Sequence, residues 1–163
     1  MLVLGLDPGL AITGFGLIRG DGQRLELEEY GVIRTDAGLA MSERLVVLHD
    51  ALEAVLVRHA PDVAAVEELF FSTNARTAML VGEARGVLLL TLAQSGLPIY
   101  EYTPMQVKQA ITGYGGADKN QIQQMVRLLL ALDTLPEPDD AADALAVSIC
   151  HHHSARMASL LER

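Results

Sequence analysis

The chain has 163 residues, 50% of them apolar and 20% charged, with a net charge of −9. That length and composition describe one globular domain, residues 1–163, able to bury most of its apolar surface without disulfides or a structural metal; the single cysteine, Cys150, excludes an internal disulfide. With 21 acidic residues against 12 basic ones, the chain is not a nonspecific nucleic-acid coat, although a nuclease whose bound cations meet the phosphates stays open.

Leu2 to Leu6 is a continuous apolar run and predicts a short central strand buried on both faces. It runs into Asp7-Pro8-Gly9, which is turn chemistry. Ile12 to Arg19 and Leu25 to Arg34 predict two further strands, joined through Asp21-Gly22 as an antiparallel meander. Met41 to His59 repeats leucine and valine on one helical face, with Ser42 or Asp36 as candidate cap and Pro61 beyond its end. Asp62 to Leu69 reads as a buried strand after this crossover helix. The cluster Ser72-Thr73-Asn74 precedes a long helix from Ala75 to Gln94. Leu97 to Tyr102 predicts another strand, and Pro104 opens a short helix reaching Thr112. Gly113 to Gly116 forms a loop, Asp118 with Gln121 a capping box, and Ile122, Met125, Val126 and Leu129 one apolar helical face. After Pro136 and Pro138 a last helix runs from about Asp139 into the 150s. Strands joined by helices beside a meander imply a mixed α/β sheet, in which ligands gather at the carboxyl ends of strands.

Three acidic groups then stand out: Asp7, the pair Glu67-Glu68, and Asp139-Asp140 with Asp143. A buried strand ending on a carboxylate needs a partner or a metal. Carboxylates from separate elements suit hard divalent cations, and paired cations suit phosphodiester cleavage. Each group also has a plainer reading: a turn residue at Asp7, solvated acids at a strand end, acids favouring a helix N-terminus at residues 139–143. Neighbours on a strand face opposite ways, so at most one of Glu67 and Glu68 serves a shared site. Asp140 and Asp143, spaced i, i+3, can share a helical face. His151-His152-His153 lies about 16 Å along the helix from Asp140 and reads as packing or surface histidine rather than ligand.

Taken in order, LGLDPGLAITGFG, AVEELFFSTNA, EARGVL, QVKQAITGYGGADKNQIQQMV and DDAADALAVSICH resemble the RuvC family of Holliday-junction resolvases over almost the whole chain. The resemblance implies an RNase H-like α/β fold, a five-stranded mixed sheet (antiparallel meander plus parallel strands) flanked by helices. It implies a homodimer that nicks two strands of like polarity in a four-way DNA junction, working with branch-migration helicases of the RuvA and RuvB type. Two divalent cations per subunit, Mg²⁺ or Mn²⁺, come with it. By motif it assigns metal and catalytic roles to Asp7, Glu67, Asp140 and Asp143, choosing Glu67 over Glu68 and leaving Asp139 as a helix-start acid. Lys108 and Lys119 match family lysines beside the site, and an aromatic at the Phe70 position reaches the junction centre in the family. Arg76 and Tyr114 are further candidate DNA contacts.

The remaining expectations concern assembly, charge and rivals. The helix from Ala75 to Gln94 is apolar on more than one face, so a second subunit is expected to cover what the sheet leaves open. The basic residues available to DNA are Arg76, Arg85, Lys108, Lys119 and Arg127, expected on one face. The apolar run Val87 to Leu90 is far short of a membrane span, and the N-terminus has neither a basic n-region nor a cleavage pattern, so a cytoplasmic protein is expected. An ATPase or sugar-kinase relative would need a second domain. A divalent-metal nuclease acting on RNA and a non-catalytic junction-binding module are the alternative functions.

Overall fold

The computed structural model describes residues 1–68 and 74–161. Five strands form one sheet in the order β3-β2-β1-β4-β5. β1 (Leu2–Asp7), β2 (Ile12–Gly20) and β3 (Leu25–Arg34) make the antiparallel meander, while β4 (Val63–Glu67) and β5 (Ile99–Tyr102) extend it in parallel on the other side of β1. The helices are α1 (Met41–His59), α2 (Ala75–Gln94), α3 (Pro104–Thr112), α4 (Lys119–Leu129) and α5 (Asp139–Leu161). This is the RNase H-like arrangement that the resemblance implies.

Strand alternation divides the core in two. Leu2, Leu4 and Leu6 of β1 face one side, where they meet Leu48, Leu52, Leu88 and Leu92 from α1 and α2. Val3 faces the other, with Val63 and Ala65 of β4, and packs against Val107, Ile122, Leu145 and Ile149 from α3, α4 and α5. Each fully buried leucine contributes on the order of 2 kcal/mol through its removal from water. β1 is therefore the central strand that its unbroken apolar run predicts, with helices over both faces.

Local differences from the sequence reading have clear causes. β4 begins at Val63 because the Asp62 carboxylate leaves the strand and accepts a 2.6 Å hydrogen bond from the Leu2 N–H. β5 begins at Ile99 because Gly96, at φ 72°, and Leu97 close the end of α2, Leu97 N–H bonding back to the Leu92 carbonyl. Neither Ser42 nor Asp36 caps α1. Ala40 holds the cap position, and the Glu43 carboxylate accepts its N–H at 2.8 Å, while Asp36 accepts from Gly38. The capping box at Asp118 and Gln121 forms as predicted.

Candidate metal centre and nucleic-acid interface

The parity that sorts the core also sorts the acids. Asp7 continues the Val3 and Gly5 face of β1, and Glu67 continues the Val63 and Ala65 face of β4. The two strands are parallel and in register, Leu6 beside Val66, so the carboxylates of Asp7 and Glu67 close adjacent strand ends on the α5 side of the sheet. Glu68 falls on the opposite parity, and its N–H bonds to the Tyr102 carbonyl.

Asp140 and Asp143 reach this place because α5 lies directly against the backbone of the meander. A Cβ on Gly14, the residue paired with Asp7, would stand 1.9 Å from the Asp140 carbonyl oxygen. One on Gly5 would stand 2.1 Å from the Ala144 carbonyl oxygen. Only glycine permits an approach this close. The first turns of α5 are thus pressed over the end of β1, with Asp140 and Asp143 one turn apart.

Electrostatics shows that the four acids act on one another. Burial, then the charge of Glu67, then those of Asp143 and Asp140 push the Asp7 carboxyl up from 3.8 to about 8. Burial and the nearby Asp143 also raise Glu67, opposed by its hydrogen bond with Asp7 and by Lys108. The two carboxyls therefore oppose each other's ionisation, which places them beside one another. Asp143 is raised by burial against the pull of Lys119. Among the described residues no three acidic, His or Cys side chains already stand in metal-ligating geometry. Asp143 is ion-paired instead with the Lys119 ammonium at 3.4 Å. The donor chemistry nonetheless fits a hard divalent cation: carboxylate oxygens from three elements, destabilised by mutual repulsion that such a cation relieves.

The predicted cations flank this cluster unequally. Lys108 and Lys119 line one groove together with Glu67 and Asp143. Lys119 bridges Asp139 at 3.0 Å and Asp143 at 3.4 Å, so Asp139 acts as an exposed counter-charge, also bonded to Gln123. Arg76 and Tyr114 are exposed, Arg76 in the first turn of α2 and Tyr114 in the loop after α3. Phe70 lies outside the described residues. Two expectations of free basic residues change. Arg85 is largely buried, ion-paired with Glu101 and donating to the Glu67 carbonyl, and so braces β4 and β5. Arg127 lines a different groove, with Asp133 and Glu137.

The histidines are packing groups. His151 Nδ1 pairs with the Tyr102 hydroxyl at 2.8 Å, His152 Nε2 with the Ile18 carbonyl at 3.0 Å, and His153 Nδ1 with the Ala110 carbonyl at 3.1 Å. Burial lowers His151 to about 4, so it is neutral at physiological pH. Cys150 is buried, and burial pushes its thiol up to about 11. Sequence reasoning missed Arg44, which borders a second groove beside Asp140, and the glycines under α5. The signal for Gly14 was its alternation with Gly16 in ITGFG, facing a helix start rich in alanine.

The model of the family "Crossover junction endodeoxyribonuclease RuvC" matches residues 3–151. The protein of that name from Chloroflexus aggregans is 57% identical over 155 residues, covering 95% of this chain and 94% of the relative. That from Desulfitobacterium hafniense is 58% identical over 157 residues, covering 96% and 95%. Among solved structures, Thermus thermophilus RuvC in complex with Holliday junction substrate has a TM-score of 0.93 at 39% identity, covering 98% of this chain and 97% of that one. A yeast mitochondrial Holliday junction resolvase, at 13% identity and a TM-score of 0.70, shares the fold. No helix among the described residues is long and apolar enough to cross a membrane. With its motifs matched in order and its relatives aligned along nearly their whole length, the chain belongs to the RuvC family of crossover junction endodeoxyribonucleases.

Proposed function

We propose that Asp7, Glu67, Asp140 and Asp143 together hold two divalent cations, Mg²⁺ or Mn²⁺, for the family's activity of resolving Holliday junctions by paired nicks in strands of like polarity. The observation that carries this assignment is the placement of Asp7 and Glu67 at adjacent strand ends beneath a helix whose first turns bear both other acids. The comparisons support junction resolution in DNA recombination and repair over the alternatives of an RNA nuclease or a non-catalytic module.

Such cations lower the pKa of water and stabilise a leaving oxygen in an in-line displacement, giving a 5′-phosphate and a 3′-hydroxyl. The chain's own groups prepare that step. Asp7 and Glu67, both raised, would have to be ionised to hold a cation, which would couple its binding to proton release. Lys108 holds positive charge beside Glu67, where it can meet a phosphate oxygen. Lys119 is ion-paired with Asp143, which it would have to yield to a cation. Phe70, Arg76 and Tyr114 are assigned to contacts with DNA.

The same reading includes a homodimer across the outer face of α2. Met79 and Leu90 are 67% and 56% exposed there, and a Cβ on Gly86 would meet nothing within 4 Å. A twofold axis would present two sites to a symmetric junction. Cooperation with branch-migration helicases of the RuvA and RuvB type rests on family membership alone.

The test is cleavage of a labelled four-way junction, a linear duplex and an RNA hybrid with Mg²⁺ or Mn²⁺, comparing wild type with Asp7→Asn. Paired symmetric nicks in the junction alone, lost in the variant while junction binding persists, are the expected result. Cleavage by Asp7→Asn at the normal rate would overturn the assignment.

A further inference from the structure

The carboxylates have a groove on each side. Lys108 and Lys119 line the one beside Glu67 and Asp143. The other, with a volume of about 510 Å³, opens beside Asp140 and is walled by residues Gly9 to Ile12, by Thr77 and Leu80 of α2, and by Arg44 of α1. Arg44 is the cation of this second groove.

The arginine is held in place before any ligand arrives. Its Nε donates to the Thr35 hydroxyl at 2.9 Å, and that hydroxyl donates to the Leu10 carbonyl at 2.5 Å. The Thr35 N–H bonds in turn to the Ala11 carbonyl at 3.1 Å. The guanidinium is thereby tied to the loop that follows Asp7. Among the described residues no carboxylate pairs with Arg44, and its two terminal nitrogens make no hydrogen bond. A planar guanidinium fixed through Nε, with its terminal N–H groups turned loose beside a groove, suits bidentate contact with a phosphate. A purely structural arginine in so acidic a chain would be expected to use those groups on a carboxylate, as Arg58 does with Glu29 and Arg85 with Glu101.

We propose that Arg44 binds a backbone phosphate of the DNA strand being cut, one lying beyond the scissile phosphate on the Asp140 side. A strand crossing the carboxylates then meets Lys108 in one groove and Arg44 in the other. This rests on the endonuclease reading and extends it to a residue that fixes the strand's path. The loop from Gly9 to Ile12 carries the coupling: it joins Asp7 to the Thr35–Arg44 anchor, so strand position and carboxylate position are set by one element.

The experiment is equilibrium binding of a labelled four-way junction in EDTA across a salt series, for wild type, Arg44→Gln, Arg44→Lys and Arg44→Ala, with thermal melts of each. Cleavage with Mg²⁺ by wild type in the same preparation tests the endonuclease reading separately. Glutamine keeps a donor for Thr35 and removes the charge. Binding roughly 10- to 100-fold weaker is expected for glutamine, with the slope of log affinity against log salt reduced by about one for each phosphate left without its cation. Lysine should restore the slope but not the full affinity. A wild-type slope and affinity in Arg44→Gln would overturn the proposal, whether or not Arg44→Ala folds. A junction that wild type binds but does not cut would instead count against the endonuclease reading and leave the Arg44 result to be judged on its own.

Discussion

Replacing Asp7 by Asn separates what the cluster costs the fold from what it does. Asp7 is the most perturbed acid, raised from 3.8 to about 8 by burial and by three neighbouring carboxylates. A carboxyl raised in this way keeps its proton in the folded chain and gives it up in the unfolded one. Its stabilising contribution is complete below about pH 4 and is lost as the pH rises through about 8. Asp7 titrates together with Glu67, so on the order of half of the rise is taken for Asp7 alone. At about 1.4 kcal/mol per pH unit, that half amounts to about 3 kcal/mol. For a domain of this size the melting temperature should shift by roughly 6 to 12 °C. Thermal melts in EDTA between pH 5 and pH 9 read this directly. Wild type should lose stability as pH rises and regain it with Mg²⁺ or Mn²⁺. Asp7→Asn should show a flatter profile, melt several degrees above wild type at pH 9, gain little from either cation, and fail to cut the junction. A variant with the pH slope of wild type, or one melting below it at pH 9, would refute the idea that these carboxylates repel one another in a shared site.

Gly14→Ala should destabilise the protein by about 1–3 kcal/mol and lower single-turnover cleavage by on the order of 100-fold. The added Cβ would stand 1.9 Å from the Asp140 carbonyl and so must displace the start of α5; unchanged cleavage would mean that Asp140 is not fixed by this close approach. Lys119→Gln removes the ammonium that lowers Asp143, leaving that carboxyl harder to ionise. The variant also removes the ammonium with which a cation would compete for Asp143, so the Mg²⁺ concentration for half-maximal cleavage should fall; an unchanged titration would count against Asp143 as a ligand. Leu90→Asp places a charge on the open face of α2, where Leu90 is 56% exposed. Sedimentation should show a shift from dimer to monomer at micromolar concentration, with a melting temperature close to that of wild type for the monomeric fold.

The strands and helices were legible because their signals are local and mutually consistent. The apolar run before Asp7 needs burial on both faces, and the meander and the crossover helix supply it. Glu67 could not be told from Glu68 by residue type. Parity along β4 distinguishes them, but only once the sheet shows which face carries α5. The joining of the acids was less legible still, because it depends on absent side chains. Gly5 and Gly14 matter through what a Cβ would strike, and that atom belongs to a helix more than a hundred residues further along. Arg44 was invisible for a related reason. On its helix it is one charged residue among several, and its significance comes from Thr35 and from the groove beside Asp140. Arg85 failed in the other direction, as a basic residue in a matching motif that the fold commits to Glu101.

The acidic balance of the chain bears on how it can select a substrate. Arg19, Arg58 and Arg85 are committed to Glu28, Glu29 and Glu101, and Lys119 to Asp139 and Asp143. The cations in the grooves beside the carboxylates then reduce to Lys108 and Arg44, with Lys119 available once Asp143 takes a different partner. Nonspecific affinity for duplex scales with the number of phosphates neutralised, so a set of open cations this small keeps it low. The four carboxylates lower it further. DNA that offers a single phosphate to one groove is held weakly. DNA that fills both grooves while its scissile phosphate faces the carboxylates engages the groove cations together, and in a dimer it would do so twice through one binding event. Selectivity for a branched substrate can therefore come from scarcity of positive charge, because a surface rich in lysine would hold any duplex nearly as well.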